Sequence, residues 1–453
     1  MHARGSVSAV IAVILLVVLA IAGGVYLFFY AAGIVKQPEP VKPAPLSANA
    51  VSNDYITLKV SVVNHGTAAL PVGTRIYIAE NNASLVLEEP LDPGRQAILT
   101  FEGGYDGSYK LFPAGTYTIY APQLGQALVS TVPERLDVPN VTARVSTAPD
   151  STSEDLHPDI IKAANGRLYV TWDSNRTFGN YRIVIANSSD GSSWGTATFI
   201  STDSNDNRRP SLIQSSGGSY WVMWDQGTGG GQVNIFERNS TDSTNWDAAI
   251  QLSSTSVIDT APHLMQASSG SYYFVRRSTV GGRPDIWIRN SSDSITWGTR
   301  TNVTSDHYDD GFPSLVRSAG GVFWLAFYSN RSGSAGIWIA NSTDSTRWSA
   351  LAQVPAYNAP NRPSLIQDDD GVYWIAYDSV DGSGDSYIWI VRSEDGLNWG
   401  PTNRISTSAG EYNPSLYQAS DGVYWLAFEG TTGSGDKDVY TRSTTDARLW
   451  TVP

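Results

Sequence analysis

From Asn53 onward apolar and polar residues alternate in short runs, among them Tyr55-Ile56-Thr57-Leu58-Lys59-Val60 and Tyr220-Trp221-Val222-Met223-Trp224, with Gly, Ser, Asn and Pro between them. A two-residue period bounded by turn formers predicts β-strands. Beyond residue 140 the runs keep a fixed beat. A Ser-x-Asp-x-x-x-Trp pattern recurs at Asp190 and Trp194, Asp242 and Trp246, Asp293 and Trp297, Asp344 and Trp348, Asp395 and Trp399, and, with Thr444 in the serine's place, Asp446 and Trp450. The successive aspartates are 52, 51, 51, 51 and 51 residues apart, and a proline opens an apolar run in each interval, at Pro158, Pro210, Pro262, Pro313, Pro363 and Pro414. A period near 50 residues predicts a propeller or an array. Each unit reads as four antiparallel strands: A from the proline, B the aromatic run, C before the Asp motif and D after it.

The Asp motif has a structural task in this reading. A Ser or Asp side chain accepts hydrogen bonds from backbone N–H groups a residue or two on and closes the turn from C to D, while the Trp folds back over the strands. The six copies resemble the Asp-box (BNR) repeat of sialidase-like β-propellers, and the resemblance implies six blades over residues 139–453. The last unit ends at Trp450-Thr451-Val452-Pro453, too short for its own strand D, whereas Thr142-Ala143-Arg144-Val145-Ser146-Thr147 is similar to the strand-D segment Phe199-Ile200-Ser201-Thr202. The expectation is that this N-terminal strand completes the sixth blade and leaves no edge exposed.

The chain ahead of the repeats divides by composition. Val7 to Val35 carries no charge, which is long enough for a membrane-spanning helix. The stretch from Arg4-Gly5-Ser6-Val7 into this run is similar to the N terminus of archaeal type IV pilins. That resemblance implies a leader over 1–5 cut between Gly5 and Ser6, a helix over 6–36, and pilin subunits and the membrane as its partners; a plain signal anchor is the alternative. Prolines 38, 40, 43 and 45 predict an extended linker over 37–46. The alternating runs of 47–138 predict an immunoglobulin-like β-sandwich. The whole is thus expected to be mainly β, behind one long hydrophobic helix.

Charge and composition narrow the partners. A net charge of −13 argues against nucleic acid, whose phosphates need a basic face, and the absence of cysteine excludes disulfides and thiolate chemistry. Asn-x-Ser/Thr sequons at Asn82, Asn140, Asn175, Asn187, Asn239, Asn290, Asn302, Asn330 and Asn341 fit an extracellular, N-glycosylated domain. Asp368-Asp369-Asp370-Gly371 and Asp381-Gly382-Ser383-Gly384-Asp385 lack the spacing of an EF-hand loop and read as turns, so no metal or cofactor is expected.

Because the units repeat, positions that break the pattern stand out. Strand B ends in Trp172-Asp173, Trp224-Asp225, Arg276-Arg277, Phe327-Tyr328, Tyr377-Asp378 and Phe428-Glu429. After the proline, serine is the rule, with Asp159 in the first unit and His263 in the third. Aromatic, acidic and arginine side chains together suit a sugar, whose apolar face stacks on a ring while its hydroxyls bond to charges. Asp173, Arg208, Asp225, His263, Arg276, Arg277, Tyr328, Arg362, Asp378 and Glu429 are therefore the candidate ligand-binding residues, with rim-holding salt bridges as the plainer role for the arginines. Enzymes of the sialidase family resemble one another in an Arg-Ile-Pro opening; here Leu156-His157-Pro158 puts Leu156 in the arginine's place, Arg208 has the right offset but in the second unit, and no Tyr/Glu nucleophile pair is recognisable. The expectation is a protein that is not an enzyme: a pilin-like surface subunit displaying a propeller for adhesion or recognition of a surface glycan or protein. The alternatives are a membrane-anchored sialidase-like hydrolase and a non-binding structural glycoprotein.

Overall fold

The computed structural model describes residues 142–146 and 154–450, save 177–178, 254–256, 407, 434, 446 and 449, and before them only strands and turns between 26 and 131. The chain forms two compact units, Met1–Asp137 and Val138–Pro453. In the first, Ala50–Asn53, Thr57–Val63 and Gln96–Glu102 make one sheet, and Gly125–Thr131, Gly115–Ala121, Arg75–Ile78 and Ser84–Val86 make another, each in that spatial order. The leader with Gly5 and Ser6, nearly all of 6–36 and the Pro-rich linker lie outside the described residues, as do Asn82, Asn140 and Asp446. Of the expected helix only Tyr26–Leu27 falls among the described residues, and it pairs antiparallel with Leu46–Ser47. Among the described residues no helix is long and apolar enough to cross a membrane.

The second unit is a propeller-like arrangement of four-stranded antiparallel sets, one to each sequence repeat. The strands of the first repeat are Asp155–Lys162, Leu168–Ser174, Arg182–Ser188 and Thr198–Phe199, paired in chain order. The next four repeats begin at Asn207–Gln214, Ile258–Gln266, Asp310–Arg317 and Ala359–Gln367 and follow the same order. In the last repeat Glu411–Gln418, Tyr424–Thr431 and Lys437–Thr444 are joined by Ala143–Arg144, which pairs with Thr441 and Tyr440. Val145 N–H donates to the Val439 carbonyl (2.8 Å) and extends this pairing. The apolar core lies between neighbouring repeats: Trp172 and Val184 of the first pack with Trp425 and Val439 of the last, and Ile183 and Ile185 pack with Val222 and Trp224 of the second.

The Asp motifs are local staples. Asp190 Oδ1 accepts the N–H groups of Ser192 and Ser193 (2.8 Å each), Ser188 Oγ accepts that of Gly191 (2.9 Å), and the Trp194 indole donates to the Gly191 carbonyl (3.2 Å). Asp242, Asp293, Asp344 and Asp395 accept the corresponding pairs of N–H groups. These donors hold all five carboxyls well below the usual carboxylate range. The fourth motif residue has positive φ throughout, as Gly191, Ser243, Ser294, Ser345 and Gly396. Glycine is required where a neighbour presses in: a Cβ on Gly191 would stand 2.1 Å from Trp425 and one on Gly396 2.6 Å from Trp324.

A second set of staples joins the repeats at the residue after each proline. Asp159 Oδ2 accepts the Leu212 N–H (2.7 Å), Ser211 Oγ that of Leu264 (3.0 Å), and His263 Nδ1 that of Leu315 (3.2 Å). Ser314, Ser364 and Ser415 do the same for Leu365 (3.0 Å), Leu416 (2.9 Å) and Ile160 (3.3 Å), so the last repeat reaches the first. The irregular residues of the series, Asp159 and His263, thus perform the task of the serines.

This defines the state of His263. Its Nδ1 must carry a lone pair, and burial pushes the imidazole down to about 4. The unfolded chain therefore binds the proton more readily, and stability from this group, full above about 6.5, is lost as pH falls toward 4. Between pH 7 and pH 5 His263 alone costs about 2 kcal/mol. His263→Ser supplies the repeat's usual acceptor and abolishes that share of the loss; urea unfolding of both proteins at the two pH values measures it, and equal pH dependence would refute the assignment.

Candidate functional site

Each strand A is bulged just before its proline, and the residue at the bulge is left-handed: His157, Arg209, Ala261, Phe312, Arg362 and Asn413 have φ of 52°, 52°, 50°, 49°, 46° and 50°. Such a conformation is costly for a residue with a side chain, and doubly so before proline. It persists where surrounding contacts impose it, commonly at functional sites. All six line a central cavity of about 290 Å³ together with the prolines and the staple residues Asp159, Ser211, His263, Ser314, Ser364 and Ser415. Over it lies a second cavity of about 160 Å³, lined by His157, Arg208, Arg209, Arg362, Asn413, Glu429 and Lys437.

The acids that end strand B hold this ring in place. Asp173 accepts the Arg209 N–H (2.9 Å), Asp225 that of Ala261 (2.9 Å), Asp378 that of Asn413 (3.3 Å) and Glu429 that of His157 (2.7 Å). All four carboxylates are buried. They also hold the side chains of the mouth. Asp173 bonds to His157 Nδ1 (2.8 Å) and pairs with Arg208 (3.2 Å), and Asp225 clamps Arg209 at 2.6 and 2.9 Å. Glu429 pairs with Lys437 (3.2 Å) and accepts the Asn413 amide. Arg208 lies 3.6 Å over the Tyr181 ring and Lys437 4.1 Å over that of Tyr412. Arg362 donates to Asn413 Oδ1 and makes no ion pair among the described residues, and its guanidinium lies 5.0 Å over Phe312.

Burial pushes the Asp173 carboxyl up to about 7 against the pull of Arg208, and that of Asp378 up to about 7 against Arg362. Burial also raises Asp225 against Arg209 and holds His157 well below the usual imidazole range. Four cations thus stand over carboxyls of which two are partly protonated near neutrality. Four cationic side chains gathered at one mouth, in a chain whose overall charge is −13, make a local patch suited to an anion.

Of the residues expected from sequence, Arg208, Arg362 and Glu429 line this mouth, while Asp173, Asp225 and Asp378 lie beneath it as positioning groups. His263 lines the channel below. Arg277 instead pairs with Asp309 (2.9 Å) at an exposed edge, beside the half-buried Tyr328. Arg276 lies inside the third repeat, buried and paired with Asp259 (3.0 Å). In the second repeat the same two positions hold Trp224 and Asn207, whose indole N–H donates to the amide oxygen (2.6 Å). The third repeat exchanges that neutral pair for an ionic one. His157, Arg209, Asn413 and Lys437 were not singled out; the first three occupy the slot before the proline, where the residue changes from repeat to repeat while its surroundings persist.

Acidic clusters elsewhere are engaged. Asp285, Asp306 and Asp310 gather within 4.8 Å, but Arg331 occupies the group through Asp306 (2.9 Å) and Asp310 (2.8 Å). Asp368 accepts from Trp374 and Tyr424 (2.7 Å each), and Asp381 from the N–H groups of Ser383 (2.8 Å) and Asp385 (3.1 Å), as turn residues. Among the described sequons Asn290 and Asn330 are exposed, whereas Asn175, Asn187, Asn239, Asn302 and Asn341 are half-buried.

No family model and no curated protein matches the sequence. Solved structures do. An α-L-arabinanase of Penicillium chrysogenum complexed with arabinobiose has a TM-score of 0.56 at 16% identity, over 69% of this chain and 99% of its own. A Hadza microbial sialidase has 0.55 at 14%, over 94% and 89%, and the intramolecular trans-sialidase of Ruminococcus gnavus 0.53 at 12%, over 69% and 99%. At such identities the likeness establishes the β-propeller fold. It also corrects the expectation that the chain is not an enzyme, because the propellers it matches are those of glycoside hydrolases. The physical reason is that a ring gathers site groups from several repeats, so a motif missing from the opening of the first repeat excludes nothing.

Proposed function

We propose that the chain is a glycan-recognising protein of the cell surface, in which a six-bladed propeller, closed by Ala143–Arg144, takes the carboxylate of an acidic sugar at the mouth of its channel. The observation that carries this is the convergence of Arg208, Arg209, Arg362 and Lys437 over buried carboxylates on a ring of left-handed residues. Planar guanidiniums match a carboxylate's two oxygens, and Arg208, Lys437 and Arg362 are held in place against the Tyr181, Tyr412 and Phe312 rings. The N-terminal stretch, similar to that of type IV pilins, would anchor the chain in the membrane or in a filament, with an immunoglobulin-like stalk and the sequon-bearing propeller outside.

A second reading is cleavage of the bound glycoside. It is favoured by His157, which lines the mouth and is hydrogen-bonded to Asp173, a carboxyl poised near neutrality. A group of this kind exchanges protons readily at working pH. A panel of acidic and neutral oligosaccharides, scored for binding and for release of reducing ends, tests both readings. Acidic sugars are expected to bind preferentially, and more tightly at pH 6 than at pH 8, because protonation of Asp173 and Asp378 leaves the cations less compensated. Equal binding of neutral sugars would sink the site assignment, and binding without release would remove the cleavage reading alone.

A further inference from the structure

The third repeat holds a second cluster of guanidiniums, apart from the channel. A cavity of about 470 Å³ is lined by Asp259, Arg276, Arg289, Trp297 and Arg300, none of which lines the channel or its mouth. Arg276 is 1% exposed, and its Nη1 has no hydrogen-bond partner. Arg289 spends one nitrogen on the Leu252 carbonyl (2.9 Å), and its buried Nε has no hydrogen-bond partner. Arg300 stacks 4.6 Å over Trp287, the cross-strand neighbour of Arg276. Buried donors of this strength are costly to leave unpaired.

The charge balance is unlike that of other buried arginines in the ring. Arg176 has Asp155 and Asp438, Arg331 has Asp306 and Asp310, and Arg442 has Glu411. Here Asp259 is the only carboxylate among the lining residues, against three guanidiniums. Glu237, behind Trp297, is pushed by burial up to about 8 and adds no charge at neutral pH. Two positive charges are left uncompensated, and the guanidiniums depress one another's proton affinity after the effect of burial.

We propose that this cavity binds a doubly charged tetrahedral oxoanion, either free sulfate or phosphate or the phosphate monoester of a sugar. Charge selects the class: a divalent oxoanion neutralises the excess and accepts from several guanidinium N–H groups at once. The volume exceeds that of a bare ion and leaves room for the group that carries an ester.

Calorimetric titration of the full chain with sodium sulfate, sodium phosphate, galactose 6-phosphate and galactose, at ionic strength matched with sodium chloride, tests this. One saturable site for an oxoanion and none for galactose is expected. Stronger binding of galactose 6-phosphate than of inorganic phosphate identifies an ester-borne group, and the reverse a free ion. Arg300→Gln is expected to weaken binding at least 10-fold. Arg276→Trp combined with Asp259→Asn rebuilds the Trp224–Asn207 pair of the second repeat and is expected to abolish binding. No saturable site in the native chain, or unchanged affinity in Arg300→Gln, overturns the proposal; the latter variant alters a partly exposed residue and decides the matter even if the double variant does not fold.

Discussion

Arg442→Met is expected to destabilise the propeller by about 3–5 kcal/mol, the cost of breaking a buried ion pair from one side. The side chain is fully buried, and its nitrogens reach three separate segments. Nε donates to Thr142 Oγ1 (3.1 Å) beside the N-terminal strand, Nη1 to the Ile405 carbonyl (2.8 Å) of the preceding repeat, and Nη2 to Glu411 (3.1 Å) of its own. Methionine fills much of the volume but leaves the Glu411 carboxylate buried without its cation. The equivalent arginines of the second and third repeats, Arg238 and Arg289, also donate to carbonyls of the preceding repeat, at Ile200 (2.5 Å) and Leu252 (2.9 Å). Urea unfolding followed by tryptophan fluorescence measures the loss. A change below about 1 kcal/mol, the level of an exposed salt bridge, would show that Arg442 does not tie the ring together.

The second large effect is on binding. Arg362→Gln is expected to weaken affinity for an acidic oligosaccharide about 100-fold, with little change in stability. Arg208, Arg209 and Lys437 each contact a carboxylate directly, whereas Arg362 contacts the Asn413 amide oxygen and acts on the Asp378 carboxyl only at longer range, so its guanidinium is the least engaged at the mouth. One lost bidentate contact between charged groups, about 2.7 kcal/mol, corresponds to that factor. Glutamine is shorter but keeps the apolar stem and an amide donor, so the ring itself is spared. Unaltered affinity in a correctly folded variant would place the ligand elsewhere, and an equal loss for neutral sugars would assign Arg362 to general architecture.

The repeat was legible from residues alone because its staples are short-range. Asp190 bonds to N–H groups two and three residues on, and the turn closes wherever Ser, Asp and Trp stand at those offsets. Strand alternation and the N-terminal segment resembling strand D are likewise properties of a few consecutive residues. The candidate site was only half legible. The acids ending strand B were marked by comparing repeats and Arg208 by its offset from Pro210, yet the sharpest departure, Arg276 with Arg277, led away from the channel. Asp155, Asp310 and Glu411, at the position of Asp259, take arginines from other places in the chain, Arg176, Arg331 and Arg442, whereas in the third repeat the partner is Arg276 at the end of strand B, an exchange visible only once the strands are adjacent. His157, Arg209, Arg362 and Asn413 vary at the one slot where the backbone turns left-handed and presents its residue to the channel.

Period, strand order and turn chemistry were thus determined by the sequence itself, since each rests on contacts within a few residues. The tertiary structure alone decided which charges meet. Arg276 and Arg362 are the same residue in repeats of one design, but one is sealed beside Asp259 and the other stands at the channel mouth without a carboxylate partner. Electrostatic character follows burial and neighbours distant in the chain, 17 residues for Arg276 and Asp259 and 51 for Arg362 and Asn413, and only the packing of strands and repeats brings those neighbours together.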